Sequence, residues 1–149
     1  MALNDPTKKM SKSVPGSYIA LTEDPDDIRR KVRSAVTDPG PPERGARLAD
    51  ASPGVANLFT LLEVFAPDAY PRFAEAYTEG TIRYSELKQV LADALVEALR
   101  PIRERYRYLV SRPQEVWEIL RAGAARARPV AVATMDEVRR RMGLRGDGA

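Results

Sequence analysis

From Ser85 onward the apolar residues Leu87, Leu91, Ala94, Leu95, Ala98, Ile102, Tyr106 and Leu109 recur every three or four positions. Only a helix gathers such a series on one face, because side chains at that spacing stack above one another along its surface. Pro101 lies inside the series and predicts a kink or a local break, since it removes a backbone donor. Ser111, with Gln114 three residues on, reads as a capping box for a next helix carrying Val116, Ile119, Leu120, Ala124 and Ala127. Pro129 kinks or ends that helix. Beyond it, Thr134 and Glu137 form a further capping box, or the helix runs on to Met142 and stops at Gly143.

The first half reads the same way. Asp24 is an N-cap, Pro25 suits the first helical position, and Asp26 and Asp27 favour the positive end of the dipole. Ile28, Val32, Ala35 and Val36 continue the period, which fades near Thr37 and Asp38. Asp38 to Gly54 holds four prolines and three glycines and is the clearest loop. Val55 to Phe65 is apolar at helical spacing, Pro67 or Pro71 restarts a short helix with Phe73 and Tyr77, and Gly80 ends it. Strand-like alternation is absent except in the short run Tyr18 to Leu21. The expected fold is all-α: a bundle of five or six helices behind an N-terminal extended loop. Residues 1–21 form that loop and its connection, 22–144 the helical body, and 145–149 a frayed tail.

A chain of 149 residues buries roughly 70% of its unfolded surface, enough for a real core. It has no cysteine and no histidine, so disulfides, thiolate metal sites, a cysteine nucleophile and an imidazole base are excluded. No metal cage is visible. Glu86, Asp93 and Glu97 lie along one helix flank and read as a solvated face. Net charge is +3, a mild lean toward anionic partners. No run is long enough to span a bilayer and Met1 to Met10 lacks a signal-peptide core, so the expected compartment is the cytoplasm.

The densest chemistry is Lys9-Met10-Ser11-Lys12-Ser13, preceded by Lys8. Two ammonium groups three residues apart on a loop can converge on a polyphosphate, and serine hydroxyls and loop N–H groups add donors. Gly16, after Pro15, offers the loop a place to flex. Read without context, the same string is a solvated, lysine-rich terminus.

"KMSKS" is the signature loop of class I aminoacyl-tRNA synthetases. The segments "DPTKKMSKS", "YIALTEDPDDIRRKVRSAVTD", "PGVANLFTLLEVF", "RYSELKQVLADALVEALRPIRERY" and "ILRAGAARARPVAVATMDEVRRRMGL" together resemble the C-terminal half of bacterial tryptophanyl-tRNA synthetases, from about Leu3 to Leu144. The resemblance implies ATP against Lys9, Met10, Ser11, Lys12 and Ser13, with Lys9 and Lys12 as the catalytic pair. It implies activation of tryptophan to an adenylate and transfer to tRNA, with magnesium arriving on the nucleotide. Many members of that family carry Asp where Val14 stands here. The family's α/β nucleotide-binding domain, with its "HIGH"-type element, has no counterpart in a chain without histidine. The chain is therefore expected to be a fragment, inactive alone, whose partners are tRNA, ATP and the missing N-terminal domain, with a homodimer for the whole enzyme. The surface left open by that domain is expected around Tyr18, Ile19 and Leu21.

The same resemblance makes the helical half an anticodon-binding region. Its arginines fall in three sets: Arg100, Arg103, Arg105, Arg107 and Arg112; Arg121, Arg126 and Arg128; Arg139, Arg140, Arg141 and Arg145. Guanidinium forks suit phosphates, and Tyr106, Tyr108 and Trp117 can stack on bases. The opposing reading has Glu97, Glu104, Glu115 and Glu118 neutralising these arginines as helix-surface ion pairs, with Tyr106 in the core. Three alternatives stay open: a non-catalytic RNA-binding module, a tyrosyl-type fragment, and a helical structural protein.

Overall fold

The computed structural model describes residues 1–144; Arg145 and the tail expected to fray lie outside the described residues. Among the described residues there are five α-helices and no strand: α1 (Pro25–Arg33), α2 (Pro53–Phe65), α3 (Tyr70–Glu79), α4 (Tyr84–Val110) and α5 (Pro113–Arg141). Short 3-10 turns at Leu48–Asp50 and Pro67–Ala69 precede α2 and α3.

Each start has a local cause. The Asp24 side chain accepts the Asp26 N–H, Pro25 opens α1, and Arg30, Lys31 and Arg33 occupy its negative end. The helix stops at Arg33, short of Thr37. The Val36 N–H donates instead to the Leu3 carbonyl at 2.9 Å, which draws the chain out of the helix. Ser52 caps α2 by accepting from the Val55 N–H. A Cβ on Gly54 would lie 2.4 Å from the Val36 carbonyl oxygen, so only glycine lets the first turn of α2 approach that segment. Gly80 closes α3 in the left-handed conformation, as its position in the sequence predicts.

The chain divides into two compact units, residues 1–104 and the residues from 105 on. In the first, Ile28 and Val32 of α1, Val55, Leu58 and Leu62 of α2, and Leu87 and Leu91 of α4 are essentially solvent-free. Phe59 meets Tyr70 and Tyr77 edge-on, with ring centroids 5.7 and 5.9 Å apart. The buried face of α4 runs Leu87, Leu91, Ala92, Leu95, Val96, Leu99 and Arg103. Ala98, Ile102 and Tyr106, expected on that stripe, are exposed. Pro101 does not end the helix. Of the segment expected to be left open, Ile19 packs against the core and Leu21 is exposed.

In the second unit α5 runs unbroken through Pro129, and none of its residues is buried. The expected capping box at its start does not form. The Ser111 hydroxyl donates back to the Tyr108 carbonyl at 2.8 Å, and Arg112, without a side-chain bond, occupies the cap. The helix ends at Arg141 with Gly143 at φ 67°, the longer of the two alternatives, so Thr134 and Glu137 lie inside it.

Leu91→Ala should cost about 2–5 kcal/mol, because it leaves a cavity in a closed core. Val130→Ala, on the open surface of α5, should stay within about 0.5 kcal/mol. Urea midpoints of the two variants measure the contrast.

Candidate functional site

The loop bearing Lys9 and Lys12 is tied down from both ends. Leu3 is buried; its N–H donates to the Ser17 carbonyl at 3.3 Å and its carbonyl accepts from Val36. The Ala2 N–H donates to the Lys8 carbonyl at 2.8 Å, and the Asn57 side-chain amide holds the carbonyls of Met1 and Ala2. Ser17 is a buried polar residue. Its hydroxyl accepts from the Ser11 N–H at 3.2 Å and donates to the Ser11 carbonyl at 2.7 Å. That pair closes the base of the loop.

Two successive turns shape the rest. The Val14 N–H donates to the Ser11 carbonyl at 3.0 Å, which places Lys12 and Ser13 at the centre of the first turn. The Ser17 N–H donates to the Val14 carbonyl at 3.2 Å, closing the second around Pro15 and Gly16. Proline followed by a glycine at φ 77° is the type II pattern. Gly16, expected to be a flexing point, instead supplies the backbone conformation of a hydrogen-bonded turn.

The five motif residues are therefore contiguous on one braced loop. Lys9, Lys12 and Ser13 are exposed, Ser11 is half-buried, and Met10 packs partly against the core. Neither Lys9 nor Lys12 has a carboxylate within ion-pair distance among the described residues. Lys8 does: its ammonium lies 2.7 Å from Asp5. The hydrogen bond from Lys8, and next that from Thr7, holds the Asp5 carboxyl down at about 2. Behind the loop, Lys31 joins Glu23 and donates to the Tyr18 carbonyl at 2.8 Å, fixing the link to α1. Ser17 and Leu3 were not singled out from the sequence. The only signal was the string Val14-Pro15-Gly16-Ser17, a turn followed by a small hydroxyl.

The arginine sets are largely engaged. Arg100 meets Glu97 at 3.0 Å and Glu104 at 3.6 Å, and Arg105 meets Glu115 at 3.8 Å. Arg139 meets Asp136, while Arg140 and Arg141 share Glu137. Arg112 stacks over the Tyr108 ring at 3.9 Å. Arg103 is buried and donates to the Val96 carbonyl at 3.3 Å. Arg121, Arg126 and Arg128 have no ion pair among the described residues. Tyr106 is 52% exposed rather than in the core, and Trp117 is 56% exposed beside Gln114, Leu120 and Arg121. Glu86, Asp93 and Glu97 are taken up by Arg72, Arg29 and Arg100. Among the described residues no group of acidic side chains is arranged to hold a metal ion, and no helix is long and apolar enough to cross a membrane.

A braced lysine loop ahead of a helical body is matched by a known family. The model of class I tRNA synthetases of the tryptophan and tyrosine type covers residues 1–100, and the chain belongs to that family. Within it, the chain is similar to tryptophan–tRNA ligases: 39% identical over 97% of its length to that of Wolinella succinogenes and 40% to that of Bacillus anthracis. It spans 43% of the length of each. Among solved structures, tryptophanyl-tRNA synthetase of Mycoplasma pneumoniae aligns over 96% of this chain and 43% of its own, with a TM-score of 0.63 and 32% identity. That of Campylobacter jejuni aligns over 91% and 42%, with a TM-score of 0.74 and 25% identity.

Two outcomes follow for the loop. Ser17→Ala should cost about 1 kcal/mol in the loop, raising exchange of the Ser11 amide about fivefold, as hydrogen-exchange NMR would read. Asp5 has a folded-state value below its ordinary one. Its pairing with Lys8 is complete above pH 3.8 and is lost as pH falls toward about 2, so its carboxyl signal should titrate late and Asp5→Asn should abolish that step.

Proposed function

We propose that this chain supplies the ATP-phosphate loop and the tRNA-binding helices of a tryptophan–tRNA ligase. The observation that carries the reading is the similarity to such ligases over nearly the whole chain, with Lys9 and Lys12 exposed on a braced loop and without a carboxylate partner among the described residues. Lys9, Met10, Ser11, Lys12 and Ser13 line the triphosphate. The carboxylate of tryptophan attacks the α-phosphorus, the bond from that phosphorus to the bridging oxygen breaks, and pyrophosphate leaves with the electron pair. Lys9 and Lys12 are the catalytic residues in an electrostatic sense: they meet charge as it develops on the leaving group and transfer no proton. Magnesium arrives on the nucleotide, whose phosphate oxygens suit a hard cation. The residues that select tryptophan, and much of the contact of a dimer, belong to the part of the ligase that this chain does not span.

A second reading is a non-catalytic RNA-binding module. The exposed Trp117, with Arg121 one turn away, suits stacking on an unpaired base beside a phosphate contact.

The test is to join this chain to the part of a relative that it does not span and to measure ATP–pyrophosphate exchange. Lys12→Ala should lower the rate about 100-fold, the scale of losing one preorganised charge-stabilising group. A joined enzyme that exchanges equally well with Lys12→Ala overturns the role given to the loop.

A further inference from the structure

The two helices that share the core, α1 and α4, leave a cleft of about 290 Å³ along their outer edge. Arg29 and Arg33 line it from α1, and Ser85, Lys88, Gln89 and Ala92 from α4. These three cations fall in none of the arginine sets of the helical half. Arg29 is held by Asp93 at 3.2 Å and Asp26 at 3.3 Å. Arg33 has no carboxylate partner among the described residues. The Lys88 ammonium donates to the carbonyls of Arg33 and Ala35, the latter at 2.7 Å, and to the Thr37 hydroxyl at 3.3 Å. It has three hydrogen bonds, at the negative end of α1, but no carboxylate partner among the described residues, and burial pushes its pKa down. Among the described residues, Asp93 and Asp26 are the carboxylates that meet these three cations, and both meet Arg29. Positive charge that is partly desolvated and lacks a counter-ion favours a ligand that brings one.

The chemistry of the wall narrows the ligand. Ala92 is its one residue with a purely apolar side chain, and no aromatic ring lines it. The Arg33 fork, the Ser85 hydroxyl and the Gln89 amide, the last also donating to Asp93 at 2.8 Å, are donors that suit phosphate oxygens. Arg33, without a carboxylate partner among the described residues, can take a phosphate, and Arg29, one helical turn away and already paired with Asp93 and Asp26, borders the path of a phosphate chain. We propose that this cleft binds phosphates of an RNA backbone. The inference rests on the tRNA reading above and adds a positioning contact that carries no sequence information.

Two measurements on the chain test it. Inorganic phosphate, titrated against labelled protein, should shift the Ser85 amide and the Gln89 backbone and side-chain amides saturably, and Arg33→Gln should remove the shifts. Filter binding to tRNA across a salt series should lose about 0.7–0.9 from its log–log slope in Arg33→Gln, one phosphate contact, while Arg30→Gln, whose guanidinium pairs with Asp27, leaves the slope unchanged. Absence of phosphate shifts at the cleft overturns the site. Phosphate shifts with an unaltered tRNA slope in Arg33→Gln overturn the RNA assignment and leave a free-phosphate site. Wild-type chain that shifts with phosphate yet binds no tRNA at low salt overturns both the RNA assignment and the tRNA reading on which it rests. Normal tRNA binding without any cleft response leaves the tRNA reading standing and sinks this one alone.

Discussion

Leu3 joins the lysine loop to the helices. Its side chain sits in the core while its two backbone groups reach Ser17 in the loop and Val36 after α1. An unpaired buried amide or carbonyl costs about 1–3 kcal/mol, so these two bonds are expensive to break. The loop is therefore positioned by the same burial that holds α1, α2 and α4 together. Gly54 belongs to this arrangement, since the close approach of α2 to the Val36 carbonyl fixes the far side of the joint.

Charge is handled differently in different parts of the chain. On α4 and α5, Arg100, Arg139, Arg140 and Arg141 meet carboxylates three or four residues away, the ordinary economy of an exposed helix, worth a few tenths of a kcal/mol each. In the loop, Asp5 takes Lys8, and Lys9 and Lys12 have no carboxylate partner among the described residues. Between α1 and α4, Lys88 is committed to carbonyl oxygens at the end of α1, which satisfies hydrogen bonds but not charge. The unpaired cations, rather than the densest arginine runs, mark where an anion gains most by binding.

The helical segments were legible because each carries its own signals: Asp24 and Pro25 at the start of α1, Gly80 at the end of α3, and the leucine spacing of α4. What failed were inferences about partners. Tyr106 and Ile102 have the spacing of core residues, yet whether a stripe is buried depends on a neighbour, and Arg103 took the buried place. Ser111 had the sequence of a capping box, but its hydroxyl found a nearer acceptor on Tyr108. Gly16 was read as a hinge because glycine permits many conformations; the hydrogen bond across Pro15 and Gly16 selects one of them.

The sequence by itself determined the all-helical character, a succession of five or six helices and the lysine loop with the family to which it belongs, because periodicity, caps and motifs are properties of neighbours along the chain; that α5 is one helix, making five among the described residues, came from the structure. Tertiary structure decided that Leu3 anchors the loop to Val36, that Asn57 holds the carbonyls of Met1 and Ala2, and that Arg29, Arg33 and Lys88 face one cleft. Those contacts join residues tens of positions apart, as Leu3 with Val36, Asn57 with Met1 and Lys88 with Ala35, and only packing against a shared core brings them together.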